Sequence, residues 1–456
     1  MLASDIEQWN AGTMEDKTKE AQRICDIEKS NQRSTVLTKA LFFLIGASVT
    51  CQGSVGWLTS KAFGTEVFIG DCFGIFFGVN LASFILVLLF IEGSYRKAVI
   101  GGWFCFLCHV TYVLISIFGY GNSAKYLYIA VYGVIGALEA IIIQSNSHVV
   151  SKYYQSCIFS SLYAGYYGGI AMFALIQTIL QKLIGTASSK EYRLCLASTH
   201  GIFAIIVGIV VAIQTVCYHK TRILTTSMSS DSKGSGYRKL IGMYGIFLHL
   251  PKFLPRFIIF NMSDLCKCAF YQVFIPYRMN FNDTQLAIVF FIDNIFDIIG
   301  RSIASVADEE IKASSNVKTH RLFLFKRDII LFMIPVIAWT LSFLVIWSTW
   351  TLKIYLLTMF EPIAVITFLV SVSMGYTSTR GLNGCIPILE YYSLQKDENN
   401  NAMFPNEHKE HYNYINDLNT LFIKLFWTIL FVFADYISKL MEKHQSSVEY
   451  LTKKNM

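Results

Sequence analysis

Apolar runs of about 20 residues, the length a helix needs to cross the hydrocarbon of a bilayer, recur along most of this chain. Eleven such spans are expected, at roughly 36–58, 67–91, 97–119, 125–148, 156–181, 194–217, 253–276, 285–306, 328–349, 352–377 and 418–438. Two polar interruptions divide them. Residues 218–243 (YHKTRILTTSMSSDSKGSGYRKLIGM) are rich in Ser, Lys and Arg and separate six runs from five. Residues 391–417 (YYSLQKDENNNAMFPNEHKEHYNYIND) are polar and Asn-rich. The chain therefore divides into a tail (1–35), a six-helix bundle (36–217), a loop (218–243), a five-helix bundle (244–440, with the polar loop 391–417 inside it) and a second tail (441–456). The first tail has mixed charge and no apolar stretch of the kind a secretory leader carries.

Composition strengthens the membrane reading. Apolar residues make up 54% of the chain and charged residues 15%, against roughly 25% charged in an ordinary soluble domain. Mean hydropathy is +0.46. Phe is abundant (36) and Pro scarce (7), as suits long helices that must close their own backbone hydrogen bonds in hydrocarbon. The fold class expected is an all-α polytopic membrane protein of two facing bundles, with the plasma membrane as its expected location and an internal membrane as the alternative.

Basic residues orient the spans. With the N-terminus in the cytosol, that side receives the first tail, the 218–243 loop, the turn bearing Arg96 and Lys97, and KTHRLFLFKR at 318–327. The other side receives scattered single charges such as Lys61, Lys125, Arg278 and Lys353. Lys443, Lys453 and Lys454 in the last tail run against this assignment, but charges after the last span carry less weight.

Against this apolar background, charges inside spans stand out. In FIDNIFDIIGRSIAS (291–305), Asp293, Asp297 and Arg301 follow at intervals of four and so share one helix face. Asn294 lies beside that stripe, and Gly300 leaves room for another helix or a ligand to approach. A charge at the centre of a span costs about 2.5–3.5 kcal/mol on insertion scales, so each one calls for a partner or a purpose. A buried ion pair is weak evidence for stability alone, since apolar residues often serve as well. A polar solute passing through the middle of the membrane explains the stripe better.

Other spans hold further candidates. Glu139 in GALEAIIIQSNSHVV is followed by Gln144 and Asn146, and fits either a proton site or a simple ion pair. Asp264 and Lys267 are three apart and are expected to pair with each other. Pro362, after Glu361, is expected to kink or break the tenth span. Gly165 and Gly169 have the small-xxx-small spacing of a close helix crossing.

Nothing in the chain reads as an enzyme. The nine histidines are dispersed, and neither an H-E-x-x-H pair nor a phosphate-binding glycine loop occurs. The eleven cysteines lack zinc spacing and read as small core residues, so neither cofactor nor metal is expected. The net charge of +7 is spread over loops, which argues against a nucleic-acid partner. The sequon Asn282-Asp283-Thr284 lies too close to the membrane for modification.

Asn294-Ile295-Phe296-Asp297-Ile298-Ile299-Gly300-Arg301 closely resembles the eighth-span signature of the equilibrative nucleoside transporters, N-x-x-D-x-x-G-R. The resemblance extends to eleven spans, a cytosolic N-terminus and a large loop after the sixth. It implies a fold like the major facilitator superfamily and carriage of nucleosides or nucleobases, passively or with protons. On that basis Asp297 and Arg301 would engage ribose hydroxyls or shape a central cavity. Gly375-Tyr376 resembles the family's Asn-Gly-Tyr element, with Met374 in place of Asn. Two positions depart from the pattern. Gly53-Ser54 stand where relatives carry a Trp-Asn pair, with Trp57 one turn later, and Glu139 falls on a Gln that contacts the base. The substrate-binding candidates are thus Asp297, Arg301, Asn294, Glu139 and Trp57. The partners expected are a nucleoside or nucleobase, the lipid bilayer and protons. Two further readings stay open: a proton-coupled carrier of another small organic solute, and a non-transporting receptor.

Overall fold

The computed structural model describes residues 36–49, 56–63, 69–90, 94–153, 156–225, 244, 257–259, 261–265, 281–313, 333–345, 347–348, 359–393 and 417–429. All regular structure among them is helical. The chain runs through α1 (Val36–Val49), α2 (Gly56–Phe63), α3 (Ile69–Phe90), α4 (Tyr95–Phe118), α5 (Gly121–Tyr153), α6 (Ser156–Ile184) and α7 (Ser189–Thr225). After a short helical stretch at 261–265 come α8 (Asp283–Ala313), the helix Met333–Val345, α9 (Phe360–Ser393) and a last helix at 417–429. Among the described residues, five segments are long and apolar enough to cross a membrane: Tyr95–Phe118, Gly121–Ser147, Ser161–Ile184, Ser189–Cys217 and Phe360–Gly381. The chain is an integral, multi-pass membrane protein by that measure. The expected count of eleven spans and the six-plus-five division draw on residues outside those described.

Local chemistry ends these helices. Ser94 caps α4, its hydroxyl accepting from the Lys97 N–H at 3.3 Å. At the other end the Gly119 N–H bonds the Ile115 carbonyl at 2.8 Å, and Gly121 opens α5 with φ 61°. Arg193 of α7 reaches across to that end, bonding the carbonyls of Ser116 (2.9 Å), Ile117 (3.1 Å) and Gly119. A cation over the last carbonyls of α4 also opposes the helix dipole. Gly185, with φ 95°, closes α6, its N–H bonding Gln181 O at 3.0 Å. Pro362 was expected to kink or break a span of 352–377, of which residues 352–358 lie outside those described. It lies in the first turn of α9, where no N–H is needed, and the helix continues unbroken to Ser393.

Packing follows from glycine. A Cβ at Gly165 or Gly169 of α6 would run into the backbone of Phe43 and Ala47, and one at Gly46 of α1 into Leu162 and Tyr166. Helices α1 and α6 therefore cross backbone to backbone, as the small-residue spacing predicts. A second crossing joins α8 to α9: Gly300 faces the carbonyl of Val372, and Gly375 faces the carbonyl of Asp297. The room at Gly300 is filled by a helix. Further contacts link α3 with α5, α4 with α5 and α7, and α6 with α8. Outward faces carry Leu86, Phe104, Leu114, Ile205 and Val365, all exposed, which suits lipid as the surrounding solvent. Cys72, Cys105 and Cys195 are buried, as small core residues.

Candidate functional site

The charged stripe of α8 lies inside the protein. Asp293 and Asp297 are completely buried, and Asn294 nearly so. Each finds chemistry on a neighbouring helix or one turn along its own. Ser371 of α9 donates to Asp293 Oδ1 at 2.7 Å. Arg301 Nε donates to Asp297 Oδ2 at 2.7 Å, and its Nη2 reaches Asp264 Oδ1 at 3.2 Å. The guanidinium also lies over the ring of Tyr167 on α6, 4.4 Å from its centroid. One guanidinium thus serves two carboxylates and an aromatic face. Lys267, the partner expected for Asp264, falls outside the described residues; among the described residues Asp264 meets Arg301. The Asn294 side-chain nitrogen bonds Phe290 O at 2.7 Å, while its Oδ1 has no partner among the described residues.

A second ionic cluster is made mainly by elements distant in sequence. Glu139 of α5 is buried and receives the Lys424 ammonium at 3.5 Å. Lys424 comes from the 417–429 helix, 285 residues further along. It also donates to Asn80 Oδ1 on α3 and lies 5.8 Å from the centroid of Phe84. The Tyr166 hydroxyl of α6 approaches Glu139 Oε1 at 3.4 Å. Further bonds tie the same helices together: Gln144 to Asp417 at 2.6 Å and Thr428 to the Phe77 carbonyl at 3.1 Å.

The two clusters meet at α6. Adjacent residues Tyr166 and Tyr167, their ring centroids 5.4 Å apart, point one to Glu139 and the other to Arg301. A buried polar layer therefore runs across the seam between the helices up to α7 and those from residue 257 onward. Polar groups are tolerated at such a depth only when they pair or face a wet passage.

Four of the five sequence candidates, Asp297, Arg301, Asn294 and Glu139, lie in or beside this layer. Trp57 falls in the first turn of α2, and its side chain is outside the described residues. Lys424 escaped the sequence reading, although a single Lys within TLFIKLFWTIL is the kind of intramembrane charge that marks a site. The convergence of two histidines was equally hidden. His109 and His200 approach at 3.3 Å between Nδ1 atoms, and the Tyr128 hydroxyl meets His200 Nε2 at 2.8 Å, all buried among Tyr112, Phe173 and Phe203. Among the described residues no group of His, Cys, Asp and Glu is arranged to hold a metal.

No family model and no curated protein matches the chain. Solved structures of similar shape include a peptide transporter, POT, in complex with alafosfalin, at 12% identity and TM-score 0.45, covering 89% of this chain and 91% of that one. Another is the nucleoside transporter NupG, at 11% identity and TM-score 0.41, covering 89% and 99%.

Proposed function

We propose that this protein is a membrane transporter that moves nucleosides or nucleobases by alternating access through the seam. The observation that carries the reading is the buried polar layer, in which Glu139–Lys424 and Asp264–Arg301–Asp297 are joined by Tyr166 and Tyr167. A nucleoside presents a diol at one end and a heterocyclic edge of donors and acceptors at the other. Ribose hydroxyls can donate to the α8 carboxylates and accept from Arg301, whose planar fork offers two parallel hydrogen bonds. The base edge can accept from Lys424 and donate to Glu139, while the tyrosine rings supply faces for stacking. The resemblance of residues 294–301 to the eighth-span signature of the equilibrative nucleoside transporters points the same way. So does the close approach of Gly300 to the backbone of Val372 and Tyr376 and of Gly375 to that of Asp297, since both stretches carry the resemblance.

The Glu139–Lys424 pair also supports a second reading, proton-coupled carriage of another small organic solute. Radiolabelled uptake in cells lacking endogenous nucleoside carriers, with purines, pyrimidines and unrelated organic acids and amines as competitors, separates the two. The nucleoside reading expects saturable uptake that only nucleosides or bases inhibit.

A further inference from the structure

Two buried glutamines on α6 have no role in the layer just described. Gln177 and Gln181 are 1% and 3% exposed, yet none of their four amide atoms has a hydrogen-bond partner among the described residues. Buried side-chain amides are almost always bonded, because an unmade bond forfeits the hydration the group gave up. Four orphaned atoms on neighbouring turns of one helix are therefore a feature that asks for a ligand.

Helix geometry shows where they face. With 3.6 residues per turn, Gln177 stands about 20° round the helix from Tyr166, and Gln181 about 40° short of Tyr167. They belong to the same sector of α6 that turns Tyr166 to Glu139 and Tyr167 to Arg301. Ile170, Ala174, Gln177 and Gln181 form one stripe at i, i+4, i+7 and i+11, and all four are buried. Along the axis, Gln177 lies about 15 Å and Gln181 about 21 Å beyond Tyr167, at 1.5 Å per residue. The helix ends at Ile184, so Gln181 is about one turn from the mouth of the seam. The stripe runs from the central layer towards the end of α6, a helix that packs against α7 and α8.

We infer that Gln177 and Gln181 form a second solute-binding station between the central layer and one face of the membrane, closed in this conformation. It takes an uncharged solute rich in hydrogen-bond donors and acceptors, since two primary amides offer both and carry no charge. When that end opens, the amides meet the solute and water; when it closes, they are left unsatisfied, which favours reopening. The inference rests on the transporter reading.

Two experiments test it. The first replaces both amides with near-isosteric apolar groups, Gln177→Leu with Gln181→Leu. The double variant should reach the membrane at the wild-type level and melt higher in detergent, yet take up at least tenfold less adenosine, inosine, uridine or hypoxanthine, whichever the wild type carries. Unchanged uptake overturns the station. Failure to reach the membrane overturns it too, because removing four orphan polar atoms should stabilise the closed seam. The second experiment labels Gln181→Cys with a membrane-impermeant thiol reagent in intact cells and in inside-out vesicles, with the parent chain as background. Labelling from one side only, slowed several-fold by the carried solute, upholds the station, and no labelling from either side overturns it. If the wild type carries none of the four solutes, the nucleoside reading fails, while one-sided labelling still upholds a station that opens to water.

Discussion

Lys424→Met tests whether the seam is held by charge. The substitution keeps the length and most of the volume of the side chain but removes the ammonium, leaving Glu139 buried with the Tyr166 hydroxyl at 3.4 Å. Removing one partner of a buried ion pair costs about 3–5 kcal/mol, a large part of the 5–15 kcal/mol that holds a typical domain together. Glu139→Gln alone should cost less, because Lys424 keeps the Asn80 carbonyl oxygen and the Phe84 ring. In the double variant both charges are gone, so its loss should fall below that of either single change, which makes the coupling energy at least as large as the loss of about 3–5 kcal/mol in Lys424→Met. Thermal unfolding of the four detergent-solubilised proteins measures this. The expected order of melting is wild type, double variant, Glu139→Gln, then Lys424→Met. A double variant whose loss equals the sum of the single losses would refute the pairing.

Arg301→Lys keeps the charge but gives up the fork that reaches Asp297 and Asp264 together. It should reach the membrane at near-normal levels and transport poorly, as should the neutral pair Asp297→Asn with Arg301→Gln; normal uptake by both would reduce the cluster to a structural clamp. Gly300→Ala places a methyl group against the backbone of Val372 and Tyr376, and overpacking of this kind costs about 1–3 kcal/mol. Gly74→Ala, whose Cβ meets nothing within 4 Å, should be neutral or slightly stabilising in the same melting assay.

Much of this arrangement could be read from spacing along single helices. The i, i+4 stripe of α8 placed Asp293, Asp297 and Arg301 on one face, and the Gly165–Gly169 spacing announced a close crossing. Helix periodicity carries such information because it is local. What the sequence hid was long-range. The partner of Glu139 lies 285 residues away, and neither Lys424 nor Asn80 has a local pattern that names the other. Tertiary packing also brings Arg301 to Asp264, 37 residues earlier in the chain, a partner that no local spacing names. Pro362 was expected to break a span, since a proline inside an apolar run looks interior until the helix start at Phe360 is known. The histidine pair, 91 residues apart, arises from the packing of α4 against α7.

A passage for nucleosides or nucleobases through the buried polar layer, as proposed above, should work with no other protein present. Purified protein reconstituted into liposomes tests it most directly, by exchange of a radiolabelled nucleoside or base across the bilayer. Saturable entry is expected, accelerating when the same unlabelled solute is loaded inside and lost in Arg301→Lys. Equal entry into protein-free liposomes, or entry unaltered by the Arg301 substitution, would contradict it.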